Sequence, residues 1–125
     1  MLADSKAFSG FAVDDLEKAK SFYAETLGLD VSEVERGVPL LEIHFANGPD
    51  ILVYPKPDHA PADFTILNFP VADIEAAVDE LARRGVSFEQ YDGIDQDEKG
   101  IARGFGPDIA WFKDPSGNIL AVLHQ

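Results

Sequence analysis

The sequence predicts an α+β fold built from two copies of a βαβββ module, and three observations carry that prediction. A short pattern recurs at constant spacing, apolar residues switch from alternation to helical period at matching places in both copies, and a glycine, Gly28 or Gly85, ends the helix of each copy. The recurring set is Phe11, Val13, Asp15, Leu16, Glu17 and Ala19, which returns as Phe69, Val71, Asp73, Ile74, Glu75 and Ala77, every pair 58 residues apart.

In the first copy Ala7 to Val13 reads as a strand. Asp14 and Glu17 have the spacing of a capping box, in which a side-chain oxygen receives unpaired amide protons, so a helix is expected from near Asp15. Leu16, Ala19, Phe22, Tyr23 and Leu27 fall on one face of that helix, and Gly28 supplies the left-handed residue that ends it. Strands are then expected at Leu29 to Val34, Leu40 to Phe45 and Ile51 to Tyr54. Residues 55–63, PKPDHAPAD, hold three prolines, which disfavour helix and central strand alike and read as a stiff connector.

The second copy opens with a strand at Phe64 to Val71. Ile74, Ala77, Val78 and Leu81 share the face of a helix that Gly85 ends. Strands are expected at Val86 to Tyr91, Ile109 to Lys113 and Ile119 to Leu123. The modules therefore run over about 1–55 and 63–125 of a single domain. Asp92 to Gly106 is long for a connection in so small a chain and is expected to be a functional loop or lid, or a mobile segment.

Length and charge bound the function. The 125 residues suffice for one domain with its own core. A formal net charge of -13 repels phosphates and anionic lipid, so neither nucleic acid nor a membrane surface is an expected partner. There is no cysteine, hence no disulfide, thiolate nucleophile or cysteine zinc site. The first residues lack a basic segment followed by an apolar core, and no run reaches membrane-spanning length, so a cytoplasmic protein is expected. No G-x-S-x-G elbow, phosphate-cradling glycine loop or H-E-x-x-H is present. Asp92, Asp95 and Asp97 show no spacing that sets an acid and a base on one rigid element, so the spacing gives no support to a hydrolase.

The segment FAVDDLEKAKSFYAETLGLDV, followed later by WFKDPSGNILAVL, resembles the glyoxalase, bleomycin-resistance and extradiol dioxygenase superfamily, the vicinal oxygen chelate proteins. The resemblance covers nearly the whole chain. It implies curled mixed sheets that form a ligand cup, a small-molecule ligand and a homodimer. In catalytic members His or Glu side chains from the first and last strands of each half hold a divalent metal. Those positions fall here on Phe8, Leu52, Ile66 and Ala121, all apolar, so no metal and no other cofactor is expected.

The expectation is a metal-free small-molecule binding protein. Strand alternation and the resemblance together nominate Trp111, Tyr54, Asn68, His44 and Phe8 as ligand-binding residues, with Gly10, Ala12, Ile66 and Leu123 beside them. Trp111 and Tyr54 could stack on a flat ligand, or instead close the core or a dimer interface. Glu42 and His44, two residues apart on one strand face, are weak catalytic candidates because imidazole titrates near neutrality. Arg103 could approach an anionic ligand or stay among its many acidic neighbours. Three alternatives remain open from sequence. They are a metal-dependent lyase, isomerase or dioxygenase with unusual ligands, a metal-free enzyme using His44 and Glu42, and a structural or regulatory partner whose cup its own side chains fill.

Overall fold

Two aspartates start the two helices in the same way. In the computed structural model, which describes residues 1–104 and 106–125, Asp15 and Asp73 take extended backbone angles (φ/ψ -136°/109° and -134°/101°). Each folds its carboxylate back over the first turn to accept from an amide, Lys18 N in one copy and Ala76 N in the other, both at 3.1 Å. Each also accepts the first intrahelical bond through its own carbonyl, from Ala19 and Ala77. The cap is therefore Asp15 and not the Asp14 of the expected capping box. Asp73→Ala is expected to lower stability by about 1 kcal/mol, read as a lower urea midpoint, and Asp73→Ser to restore most of it.

The chain forms two compact units, Met1–His59 and Ala60–Gln125. In the first, β1 (Gly10–Val13) leads into α1 (Leu16–Ser21), which continues through a π-helical turn (Phe22–Thr26) before Gly28, at φ 72°, reverses the chain. β2 (Asp30–Glu35), β3 (Pro39–His44) and β4 (Ile51–Pro55) follow, and the sheet has the order β1-β4-β3-β2. β1 runs parallel to β4, while β3 is antiparallel to both its neighbours. Register places Phe11, Val53 and Leu41 in one row, with Ile43 and Val13 on the same face, and α1 adds Ala19 and Tyr23. All seven are buried, and they form the core. β1 is shorter than the strand expected from Ala7, because its pairing with β4 begins at Gly10.

The second unit holds β5 (Thr65–Val71), α2 (Ile74–Arg83), β6 (Ile109–Lys113) and β7 (Ile119–His124), with sheet order β5-β7-β6. Its core repeats that of the first: Ala110, Phe112, Leu120 and Val122 from the sheet, Ile74 and Val78 from α2. The parallel pair Phe11↔Val53 recurs as Phe69↔Val122. Over the described residues the chain is thus a mixed α+β protein with one four-stranded and one three-stranded sheet.

Val86 to Tyr91 does not form the expected strand. A single bridge joins Phe88 to Phe112, and Glu89 N donates to Trp111 O at 2.8 Å. Gln96 supplies the reason: its amide accepts from Tyr91 N at 2.7 Å and donates to the carbonyls of Glu89 and Gly100 at 2.9 and 2.8 Å. A side chain thus satisfies backbone groups that a further ladder would otherwise take. In the first copy Val31 pairs with Ile43, so the offset is 57 at Phe88 and 69 at Phe112. The second copy consequently carries twelve extra residues, which enter within the long connection from Asp92 to Gly106.

Those extra residues fold back on the unit. Gly100, Ile101 and Ala102 are buried, and the Asp97 carboxylate accepts from Lys99 N and Ile101 N at 2.9 Å each. Arg103 pairs with Asp97 at 2.6 Å and also approaches Asp108 and Glu75, so its charge is engaged within the loop. Burial pushes the Asp97 carboxyl up, but the Arg103 guanidinium and the two amides together hold it below its ordinary value. Position 105 of this segment lies outside the described residues.

Candidate functional site

On the face of the first sheet opposite the core, register aligns Gly10, Leu52, Glu42 and Ser32 in one row across all four strands. Above this row lies a concavity of about 220 Å³ lined by Lys6, Phe8, Arg36, Glu42, Asp50 and Leu52. The second unit has one of about 230 Å³, lined by Phe64, Thr65, Tyr91, Ile94, Trp111 and Ile119. The two occupy corresponding places in the repeat. Lys6 corresponds to Phe64 at the 58-residue offset, while Glu42 and Asp50 correspond to Trp111 and Ile119 at 69. One copy has kept the hollow charged, and the other has made it aromatic.

The nominated residues divide accordingly. Phe8 and Glu42 line the charged hollow and Trp111 the aromatic one, whereas Tyr54 and Asn68 are exposed and line neither. His44 does not line the charged hollow but bonds to Asp50, which does: its Nδ1 lies 2.9 Å from Asp50 Oδ1 and its Nε2 lies 2.8 Å from Ser32 Oγ. Glu42 is engaged elsewhere, 3.2 Å from the Arg36 guanidinium. The structure therefore couples His44 to Ser32 and Asp50. Neither residue was found from sequence, although Ser32 is readable in retrospect as the cross-strand neighbour of Glu42.

The hydrogen bond to Asp50, more than the nearby charges of Asp50, Asp30 and Glu42, raises the His44 pKa despite opposing desolvation. Folding thus favours protonated His44. The resulting stabilisation is full below the ordinary histidine value of about 6.5 and is lost as pH rises through the higher folded value. Asp50→Asn is expected to return the His44 midpoint toward about 6.5, followed by NMR titration of the three histidine rings.

In the aromatic hollow Tyr91 meets Trp111 edge to face, with centroids 5.6 Å apart at 73°. The Tyr91 hydroxyl is buried without a hydrogen-bond partner, and burial, with Glu89 nearby, raises its pKa. An unpaired buried hydroxyl costs free energy that an incoming acceptor would recover. Phe64, 65% exposed, forms one wall and leaves apolar surface open to solvent.

A metal does not fit the positions the resemblance indicated. Phe8 is 61% exposed, Leu52 pairs with Gly10, Ile66 sits in a β-bulge between Thr65 and Leu67, and Ala121 is fully buried. None carries a donor atom on its side chain. Among the described residues no group of three or more His, Cys, Asp or Glu is disposed to hold a metal ion. Nor, among them, is any helix long and apolar enough to cross a membrane.

Two modules of this topology, each with a hollow on the helix-distal face of its sheet, make up the chain. The model of the Glyoxalase/Bleomycin resistance protein/Dioxygenase superfamily matches residues 7–122, and the chain belongs to that superfamily. No curated protein matches. Among solved structures, the chain is similar to TnmS3, an antibiotic binding protein from Streptomyces sp. CB03234. Identity is 24%, coverage 97% of each chain and the TM-score 0.70. A glyoxalase/bleomycin resistance protein from the same organism matches at 24% identity over 95% of this chain and 99% of its own, with a TM-score of 0.67. A superfamily member from Sphaerobacter thermophilus DSM 20745 matches at 21% identity over 98% and 99%, with a TM-score of 0.72. At these identities the likeness establishes the fold.

Proposed function

We propose that this protein binds, without a metal, a small molecule that presents a flat aromatic portion to the hollow of the second unit. The carrying observation is the aromatic hollow itself, with Trp111 and Tyr91 in contact and the Tyr91 hydroxyl buried and unpaired. Aromatic walls around one polar handle are the usual composition of a small-ligand site. At about 230 Å³ the hollow is smaller than the roughly 300 Å³ from which drug-sized sites begin, so it would receive one ring system of a larger ligand. The antibiotic binding described for TnmS3 is consistent with a ligand of that kind. Exposed Phe8 and Phe64 favour a homodimer, which sedimentation of the purified chain would test.

Trp111 is the only tryptophan, so intrinsic fluorescence reports directly on the site. A panel of planar polycyclic compounds is expected to include members that quench it saturably. Quenching that never saturates, or that is the same when Phe64 and Tyr91 are replaced together, would count against this reading.

A further inference from the structure

We propose that Ser32, His44 and Asp50 form a second site, a metal-independent nucleophilic centre that accepts the acyl group of a small ester. Asp50 Oδ1 lies 2.9 Å from Nδ1 of His44, and Ser32 Oγ lies 2.8 Å from Nε2. Asp50 keeps the neutral ring's proton on Nδ1, which leaves the lone pair on Nε2 to accept the Ser32 hydroxyl proton. The residues come from two adjacent strands and the β3–β4 connection, and a nucleophile, a base and an orienting carboxylate are the parts that acyl transfer needs.

The neighbourhood supplies a place for substrate. Ser32 is the cross-strand partner of Glu42, and both Glu42 and Asp50 line the hollow of about 220 Å³. Phe8, Pro49 and Leu52 form an apolar wall suited to a short acyl chain. Lys6 and Arg36 line the same hollow, Arg36 paired there with Glu42.

In the first step the Ser32 Oγ–carbon bond forms while the hydroxyl proton passes to His44 Nε2. The ester carbon–oxygen bond then breaks, and the leaving alcohol takes that proton. Water attacks the acyl-serine by the same route, releasing the acid and restoring Ser32. Because this site lies wholly within Met1–His59 and the aromatic hollow within Ala60–Gln125, either can fail without the other.

The full chain would be treated with a fluorophosphonate probe and followed by intact mass and peptide mapping. One adduct on Ser32 is expected, absent in Ser32→Ala and formed roughly 100-fold more slowly in His44→Gln and Asp50→Asn. The rate should rise with pH through the His44 titration, on which Asp30, Glu42 and Asp50 act, because only the neutral ring accepts a proton. Ser87→Ala, at an exposed serine of the second unit, should label like the parent, and circular dichroism should show all variants folded. No adduct, an adduct elsewhere, or equal rates in folded His44→Gln would overturn the proposal.

Discussion

Asp114→Ala is expected to destabilise the protein by about 3–4 kcal/mol, the largest effect on folding of any single change discussed for this chain. Asp114 is 5% exposed and opens the turn Asp114-Pro115-Ser116-Gly117-Asn118 between β6 and β7. Its Oδ1 accepts from the amides of Ser116 and Asn118, and its Oδ2 from Asn118 Nδ2, all at 2.9 Å. Asn118 is itself 2% exposed, so deletion of the carboxylate would strand donors that water reaches poorly. Each such donor costs about 1–3 kcal/mol, partly offset because the carboxylate no longer has to be buried. Against a typical total of roughly 5–15 kcal/mol the loss would move the urea midpoint sharply. Asp114→Asn should cost less, since it keeps an acceptor for the two amides while setting an amino group against Asn118 Nδ2 or rotating it away.

Trp111→Ala is expected to weaken a quenching ligand by about 30-fold or more, equivalent to about 2 kcal/mol for loss of a central aromatic contact. Calorimetry would measure it, since the fluorescent reporter is gone. Tyr91→Phe provides the sharper signature because its two effects have opposite sign. Removing a hydroxyl that is buried and unpaired in the free protein should leave stability unchanged or slightly raised. Removing the same hydroxyl from a bound state in which it donates to ligand should cost about tenfold in affinity, the worth of one ordinary hydrogen bond. A Tyr91→Phe protein that loses stability and binding together would place the ring in the core alone.

Much of the fold was legible because the repeat is a local signal. The 58-residue spacing located both strand-to-helix entries, and Leu41 and Ile43, which alternate with Glu42 and His44, are core in the structure. Ile109 to Lys113 was bounded correctly, and its neighbours fell within a few residues. Asp14 and Asp15 could not be separated from sequence, since both precede the helix and only the extended backbone of Asp15 decides which carboxylate turns back. The missing strand at Val86 to Tyr91 was hidden for a different reason. Its competitor is the side chain of Gln96, whose three hydrogen bonds depend on how the inserted loop folds.

The sites were less legible than the fold. Period-two alternation placed Glu42 and His44 on one face correctly, but it carries no information about which neighbour each side chain bonds. Asp50 reaches His44 from the β3–β4 connection, and no strand pattern speaks for a loop residue. The expectation of one shared lining set also gave no hint that Phe8 and Trp111 belong to separate, repeat-related hollows. That correspondence needs the twelve-residue insertion to be placed first, and only strand register places it.

The most direct test of metal-free binding is a thermal melt of the untagged protein with a saturating quencher of Trp111, run in EDTA and again with added Ni, Zn, Mn or Fe(II). A ligand-dependent rise in Tm that is the same in EDTA as with each metal is the predicted result. A rise that appears only when a divalent metal is supplied would contradict it, and would mean that the chain recruits metal donors from beyond the four apolar positions Phe8, Leu52, Ile66 and Ala121.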